Sequence, residues 1–372
     1  MTVQVAAKDP KSPKKASELA AVIAGIKKAK GTGVVYQGST IPPVRRIPTG
    51  VFEFDLATGG GFPKGRLSIV YGPESSGKSN ICYCAAREAQ RGPEECNKVV
   101  WIDLEGTFDP KWVAQFGVDL DNLVVVKPGY GEEAADLIHG LMQADDVALV
   151  VVDSVAMMTA AKEVEQSLEK FDVGTSSLLI KRLCNKMAIS MAIEGRRDHQ
   201  PAIIFINQTR FKIGVMFGDP ETFPGGNAQR FLSSLTIRTY GKNEIVKEIH
   251  PDLPVFKDTS VIIKKAKVPV SQVKFEYKMT MYAHGDLQVG ATASWNTVST
   301  HLKAHGIIAP CKNGWVYGQG PEPVFPTLAA MAKHYYSTPL FRLELQAAVF
   351  QTLKDKAFFV DPKEIEKPEE SD

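Results

Sequence analysis

Five short runs of apolar, β-branched residues punctuate the first part of the chain, at positions 67–71, 98–104, 123–126, 148–152 and 202–206. Continuous runs of that length read as strands buried on both faces. Positions 132–143 and 176–194 lie between them and carry helical periodicity. Residues 66–208 are therefore predicted to form an α/β core, a mostly parallel central sheet with helices on both faces. Later runs at 234–240, 260–264 and 274–282 alternate apolar with polar, which predicts an antiparallel extension of the same sheet. Positions 294–305, 327–333 and 340–356 again look helical, with Gly, Pro and aromatic residues between them. They predict a small α+β C-terminal domain.

Near the start, residues 16–30 read as a helix with Leu19, Val22, Ile23 and Ile26 on one face, ended by Gly31 and Gly33. Packing on its own core and docking on another subunit both fit that pattern. The expected organisation is a tail and helix over 1–35, a core over 36–285, a small domain over 286–360 and an acidic tail over 361–372. The last segment holds six acids against two lysines. At 372 residues and 44% hydrophobic, the chain can bury a sizeable core. No apolar run approaches the ~20 residues of a spanning helix. No apolar stretch follows the first charges, so a cytoplasmic, non-membrane protein is expected. The net charge of +2 means that any nucleic-acid contact must be local. Cys82, Cys84, Cys96, Cys184 and Cys311 match no zinc spacing and read as reduced, buried thiols.

The candidate chemistry begins after the first strand. Gly72, Pro73, Glu74, Ser75, Ser76, Gly77, Lys78 and Ser79 fit G-x-x-x-x-G-K-[ST]. In this motif glycines let backbone N–H groups wrap phosphates, and the following helix offers its N-terminus to their charge. Lys78 can reach the β- and γ-phosphates of ATP, and Ser79 can ligate Mg²⁺. Asp153 ends a buried strand, where a carboxylate helps hold the metal or caps a helix. Asp103 and Glu105 close another strand, and either could activate water. Asn207 and Gln208 close a third, where an amide can sense the γ-phosphate or cap the strand. The eighteen residues 209–226 then carry Arg210, Phe211, Lys212, Phe217 and Phe223 among four glycines. Cations and aromatic rings interleaved with glycine suit single-stranded nucleic acid, and a lid or an interface also fits.

These residues resemble the bacterial-type RecA recombinases, and the drift outside the motifs leaves room for a viral member. GPESSGKS at 72–79, WIDLEGTFDP at 101–110, VVVDSV at 150–155 and INQTRFKIGVMFGDPETFPGGNA at 206–228 carry the resemblance, together with 48–66. It runs from about residue 16 to 350 and implies a RecA-type P-loop core that hydrolyses ATP in a DNA-dependent way. It also implies a helical filament on single-stranded DNA that pairs with homologous double-stranded DNA for strand exchange. By position, Glu105 becomes the catalytic base and Gln208 the γ-phosphate sensor. Asp109 and Trp112 flank adenine. Arg210, Lys212, Phe217, Gly225 and Gly226 belong to a DNA loop. Arg230 and Phe231 fall at a protomer interface, and the helix over 16–30 docks on the adjacent protomer.

The chain also departs from the family. Two lysines before a proline are expected to reach ATP across the interface. Counting back from Pro269 selects Lys265, but the second position falls on Ile263; Lys264 or Lys267 could substitute. Residues 163–177 depart strongly from the family's first DNA loop. Asn80 stands where a Thr is usual. A hexameric helicase motor or a passive ATP-binding filament are the rival readings; the 209–226 loop argues against the first, Glu105 and Lys78 against the second.

Overall fold

The computed structural model describes residues 18–30, 43–165, 174–194, 200–211, 220–285, 287–318 and 324–354. The chain divides into two units, 1–43 and 44–372. In the first, α1 (Glu18–Lys30) carries exposed Leu19, Val22 and Ile26 along one face. The second unit opens with β1 (Arg46–Ile47), α2 (Phe52–Thr58), β2 (Phe62–Pro63), β3 (Leu67–Gly72), α3 (Lys78–Gln90) and β4 (Lys98–Asp103). It continues with α4 (Pro110–Gln115), β5 (Leu123–Val126), α5 (Gly131–Leu141), β6 (Val147–Asp153), α6 (Ala161–Glu165), α7 (Thr175–Glu194) and β7 (Ala202–Gln208). Then come β8 (Arg210–Phe211), β9 (Glu221–Thr222), α8 (Asn227–Leu232), β10 (Leu235–Glu244), β11 (Phe256–Ala266) and β12 (Lys274–Thr280). The last elements are α9 (Trp295–Ala304), β13 (Ile308–Cys311), β14 (Gly314–Tyr317), β15 (Val324–Phe325), α10 (Leu328–Ser337) and α11 (Pro339–Lys354).

Eight strands form the central sheet in the order β12-β11-β10-β3-β7-β6-β4-β5. Its middle strands β3 and β6 are buried at every position, so their sequences are unbroken apolar runs. Alternate residues serve opposite layers. Val70 packs with α3, while Leu67, Ile69 and Tyr71 pack with α5 and α7. In the first layer Trp101 stacks on Tyr83 at 4.8 Å between ring centroids.

The expectation that the three later strands are all antiparallel is corrected for one of them. β10 runs parallel to β3, and only β11 and β12 are antiparallel additions. The first half of β10 is covered on both faces, whereas its far half projects beyond β3 and pairs with β11 alone. Thr236 and Arg238 alternate with Leu235 and Ile237 even within the half that pairs with β3, so alternation does not mark strand direction here.

The C-terminal elements pack around Trp295, Val298, Leu302, Met331, Tyr335 and Val349. Phe52 and Leu56 of α2 join this cluster, so α2 lies between the sheet and the C-terminal elements. Four cysteines are buried, but Cys311 is exposed in the β13–β14 hairpin, contrary to the expectation that all five are buried.

Candidate nucleotide and DNA site

The sheet delivers its chemistry at the carboxyl ends of β3, β4, β6 and β7, the crevice where open α/β sheets bind ligands. β3 runs into the loop 72–79, which turns through Ser75 (φ 56°) and Gly77 (φ 91°) before α3 starts at Lys78. No side chain caps α3. The first N–H groups of a helix lack intrahelical partners, so they are free to take phosphate oxygens. Lys78 Nζ donates to the carbonyls of Gly72 at 3.2 Å and Pro73 at 2.6 Å. The neighbouring strands bed the loop. Ser76 Oγ shares a 2.8 Å hydrogen bond with Thr239 Oγ1. Lys257 Nζ donates to Ser75 O at 2.7 Å. A Cβ on Gly241 would meet Ser75 O and Ser76 C at 2.9 Å. Asn80 Nδ2 reaches Met281 Sδ at 3.5 Å, a structural contact.

Ser79 Oγ donates to Asp153 Oδ2 at 3.1 Å. Burial pushes the Asp153 carboxyl up to about 7; the charge of Glu105 acts the same way and the Ser79 hydroxyl opposes it. A desolvated carboxylate beside a hydroxyl is a set of hard oxygen donors that fits Mg²⁺, an ion usually held by one or two carboxylates plus phosphate and water. Asp153 caps no helix through its side chain; its carbonyl accepts from Leu104 and Glu105 N–H.

The structure separates the two carboxylates that the sequence left equivalent. Asp103 is buried, accepts from the N–H groups of Thr107 and Phe108 at 3.2 Å, and pairs with Lys127 at 3.4 Å. It holds the turn after β4. Glu105 is exposed and accepts from Ser154 Oγ at 2.6 Å and Gln208 Nε2 at 3.3 Å. Asn207 and Gln208 differ in the same way. Asn207 is fully buried and donates to Pro224 O at 3.1 Å. Gln208 pairs in register with Gly72 and reaches both Glu105 and, through Oε1, Arg210 Nη2 at 3.5 Å.

Arg210 and Phe211 are exposed on β8, which pairs with β9. Lys212 and Phe217 lie outside the described residues. Gly225 and Gly226 have φ of 93° and 75°, a backbone conformation that L side chains rarely adopt, so the turn into α8 favours glycine at both. Glu221 of β9 ion-pairs with Arg238, whose guanidinium lies 4.0 Å from the Tyr240 ring centroid. This anchors the returning arm of the loop to β10.

β11 places the lysines that precede Pro269. Its register against β10 shifts by one residue, Thr236 facing Lys265 and Ile237 facing Ile263, so Lys264 is the extra residue of a β-bulge. Ile263 is fully buried, whereas Lys264 and Lys265 are half-exposed and fall on the same face of the sheet. Lys265 Nζ donates to the carbonyls of Arg230 and Phe231, and Lys267 Nζ to that of Phe231 at 2.5 Å. Arg230 and Phe231 themselves are exposed on α8, Phe231 by 74%.

Asp109 caps α4, accepting from Lys111 N–H at 2.9 Å and Trp112 N–H at 3.4 Å. Trp112 is partly buried, edge-on to Phe116 at 5.3 Å. Ser154, Thr239, Gly241 and Lys257 were not identified as site residues from the sequence. The last three arrive by strand pairing, which leaves no local signal.

The fold and site define a P-loop α/β nucleotide-binding protein. The family model described as the RecA N-terminal domain matches residues 17–286. Protein RecA of Paracoccus denitrificans is 34% identical over 322 residues, covering 85% of this chain and 84% of its own. Protein RecA of Acinetobacter baylyi is 32% identical over 350 residues, covering 92% and 93%. A solved RadB recombinase overlaps with a TM-score of 0.45 and 20% identity, over 63% of this chain and 96% of that one. The chain belongs to the RecA family.

Proposed function

We propose that this chain is a recombinase that hydrolyses ATP on single-stranded DNA, assembles there as a helical filament, and exchanges strands with homologous double-stranded DNA. The observation that carries this reading is the Gln208 side chain, which joins the carboxylate of Glu105 to Arg210 through its two ends. One amide thus links the hydrolytic edge of the P-loop site to the arm of the 209–226 loop.

Lys78 and the N–H groups at the start of α3 bind the phosphates. Ser79 and Asp153 would hold Mg²⁺, whose charge offsets that of the phosphate oxygens. Trp112 offers the adenine an aromatic surface beside Asp109. Glu105, oriented by Ser154, takes the proton of the attacking water. Gln208 Nε2 donates to Glu105 here and can turn toward a γ-phosphate oxygen. A change of partner there shifts Arg210 and the loop that follows. Arg210, Lys212, Phe217, Gly225 and Gly226 meet the DNA backbone and bases. The exposed Phe231 and Arg230 sit at the junction with a second copy, where Lys264 and Lys265 approach the neighbouring ATP. A junction of this heterologous kind does not close, so it builds a filament. The reading places the protein in the cytoplasm.

The test is ATP hydrolysis with and without homopolymer single-stranded DNA at low and moderate salt. Strong stimulation is expected, followed by strand exchange on homologous duplex. Hydrolysis indifferent to DNA would break the link through Gln208.

A further inference from the structure

Lys257 lies in the first turn of alternation of β11, facing Asn243 on β10 and Met279 on β12. It is only 7% exposed. Taking an ammonium out of water costs several kcal/mol unless it is paired. Among the described residues no carboxylate pairs with Lys257. Its hydrogen-bond acceptor is a neutral carbonyl, Ser75 O, at 2.7 Å. Burial lowers its pKa, and the charge that acts on it, the cation Lys78, lowers it further. Two desolvated ammonium groups therefore flank one phosphate-type loop; the carboxylates of Asp153, Glu105 and Glu74 act on Lys78, whereas among the described residues Lys257 meets only the charge of Lys78. Such an arrangement is unfavourable in the ligand-free chain, and a polyanion relieves it.

The geometry adds a second reason. Ser75 is the sole non-glycine residue with positive φ among the described residues, a conformation that costs roughly 1–2 kcal/mol. Its carbonyl is the atom that Lys257 holds. The Lys257 stem also packs beneath Gly77, where a Cβ would meet Cδ at 3.6 Å.

We propose that Lys257 is a positioning residue for the nucleotide, a second lysine of the phosphate site. It holds the outer carbonyl of the P-loop so that the N–H groups face inward, and it adds a positive charge behind them. This rests on the reading of 72–79 as the ATP site. Nothing in the local sequence announces the role, because Lys257 reaches the loop only through the β10–β11 pairing.

The test uses the full chain with saturating single-stranded DNA. Lys257→Met keeps the stem and removes the charge. It is expected to raise KM for ATP about tenfold with kcat within about twofold, the effect of one nearby charge at partial burial. Lys257→Gln retains a donor without the charge and is expected to fall between Met and the parent. ATP affinity should suffer more than ADP affinity, because ATP carries more charge. Lys78→Ala serves as the control and should abolish ATP binding. If Lys78→Ala binds ATP normally, the nucleotide-site reading itself fails. If Lys78→Ala is dead but both Lys257 variants keep KM within about twofold, only the Lys257 proposal is overturned. A loss confined to kcat, or one that falls equally on ATP and ADP, also overturns it.

Discussion

Phe231→Ala separates folding from assembly. Phe231 is 74% exposed at the end of α8. Full burial of a phenylalanine is worth about 1.5–3 kcal/mol, so the quarter that is covered contributes under about 1 kcal/mol to the fold. Nearby Phe223 is 6% exposed and its ring centroid lies 4.9 Å from that of Tyr71; its truncation should cost about 3–5 kcal/mol. At a protomer junction the balance reverses. An aromatic anchor seated in a partner is worth about 2 kcal/mol or more. Each added protomer would lose one such contact, and 2–3 kcal/mol corresponds to about a 30- to 150-fold weaker junction. The expected result is a urea transition within about 1 kcal/mol of the parent. Light scattering and sedimentation on homopolymer DNA should show filaments only at protein concentrations one to two orders higher. DNA-stimulated hydrolysis should return at those concentrations. Filaments forming at the parent's concentration would remove Phe231 from the junction, and a stability loss of several kcal/mol would make it a structural residue.

Three further outcomes follow from the site. Glu105→Gln should bind ATP but lose turnover by about 10²–10⁴, while Asp103→Asn should mainly destabilise the turn after β4; normal turnover in the first, measured by phosphate release, would exclude Glu105 as the base. Ile263→Ala should cost about 2–5 kcal/mol in urea denaturation and Lys264→Ala no more than about 0.5 kcal/mol; the reverse ranking would contradict the bulged register. Glu53 is buried on α2, its Oε2 lacks a partner, and burial raises its pKa. The folded chain therefore holds that proton to higher pH than the unfolded chain, and stability from it is present at acid pH and lost as pH rises through the raised value. Glu53→Gln should be more stable than the parent at pH 8, with the difference shrinking toward pH 5; a constant difference would refute the assignment.

The local signals were strong where one segment does the work alone. β3, β6 and β7 are buried on both faces, so hydrophobicity wrote them as unbroken runs, and the 72–79 loop is defined by backbone conformations that only certain residues allow. The order of motifs then located Asp153, Glu105 and Gln208 at strand ends. Tertiary structure decided what needed two segments at once. Asp103 and Glu105 are two residues apart and chemically alike; their spacing does not divide them, whereas the contacts from Thr107, Phe108 and Lys127 against those from Ser154 and Gln208 do. The bulge at Lys264 exists only in the pairing of β11 with β10. Lys257 lies 182 residues from the carbonyl it holds. A residue's own type and neighbours encode burial and backbone shape, but the charge or hydrogen bond it meets across the fold is set by which strands lie side by side.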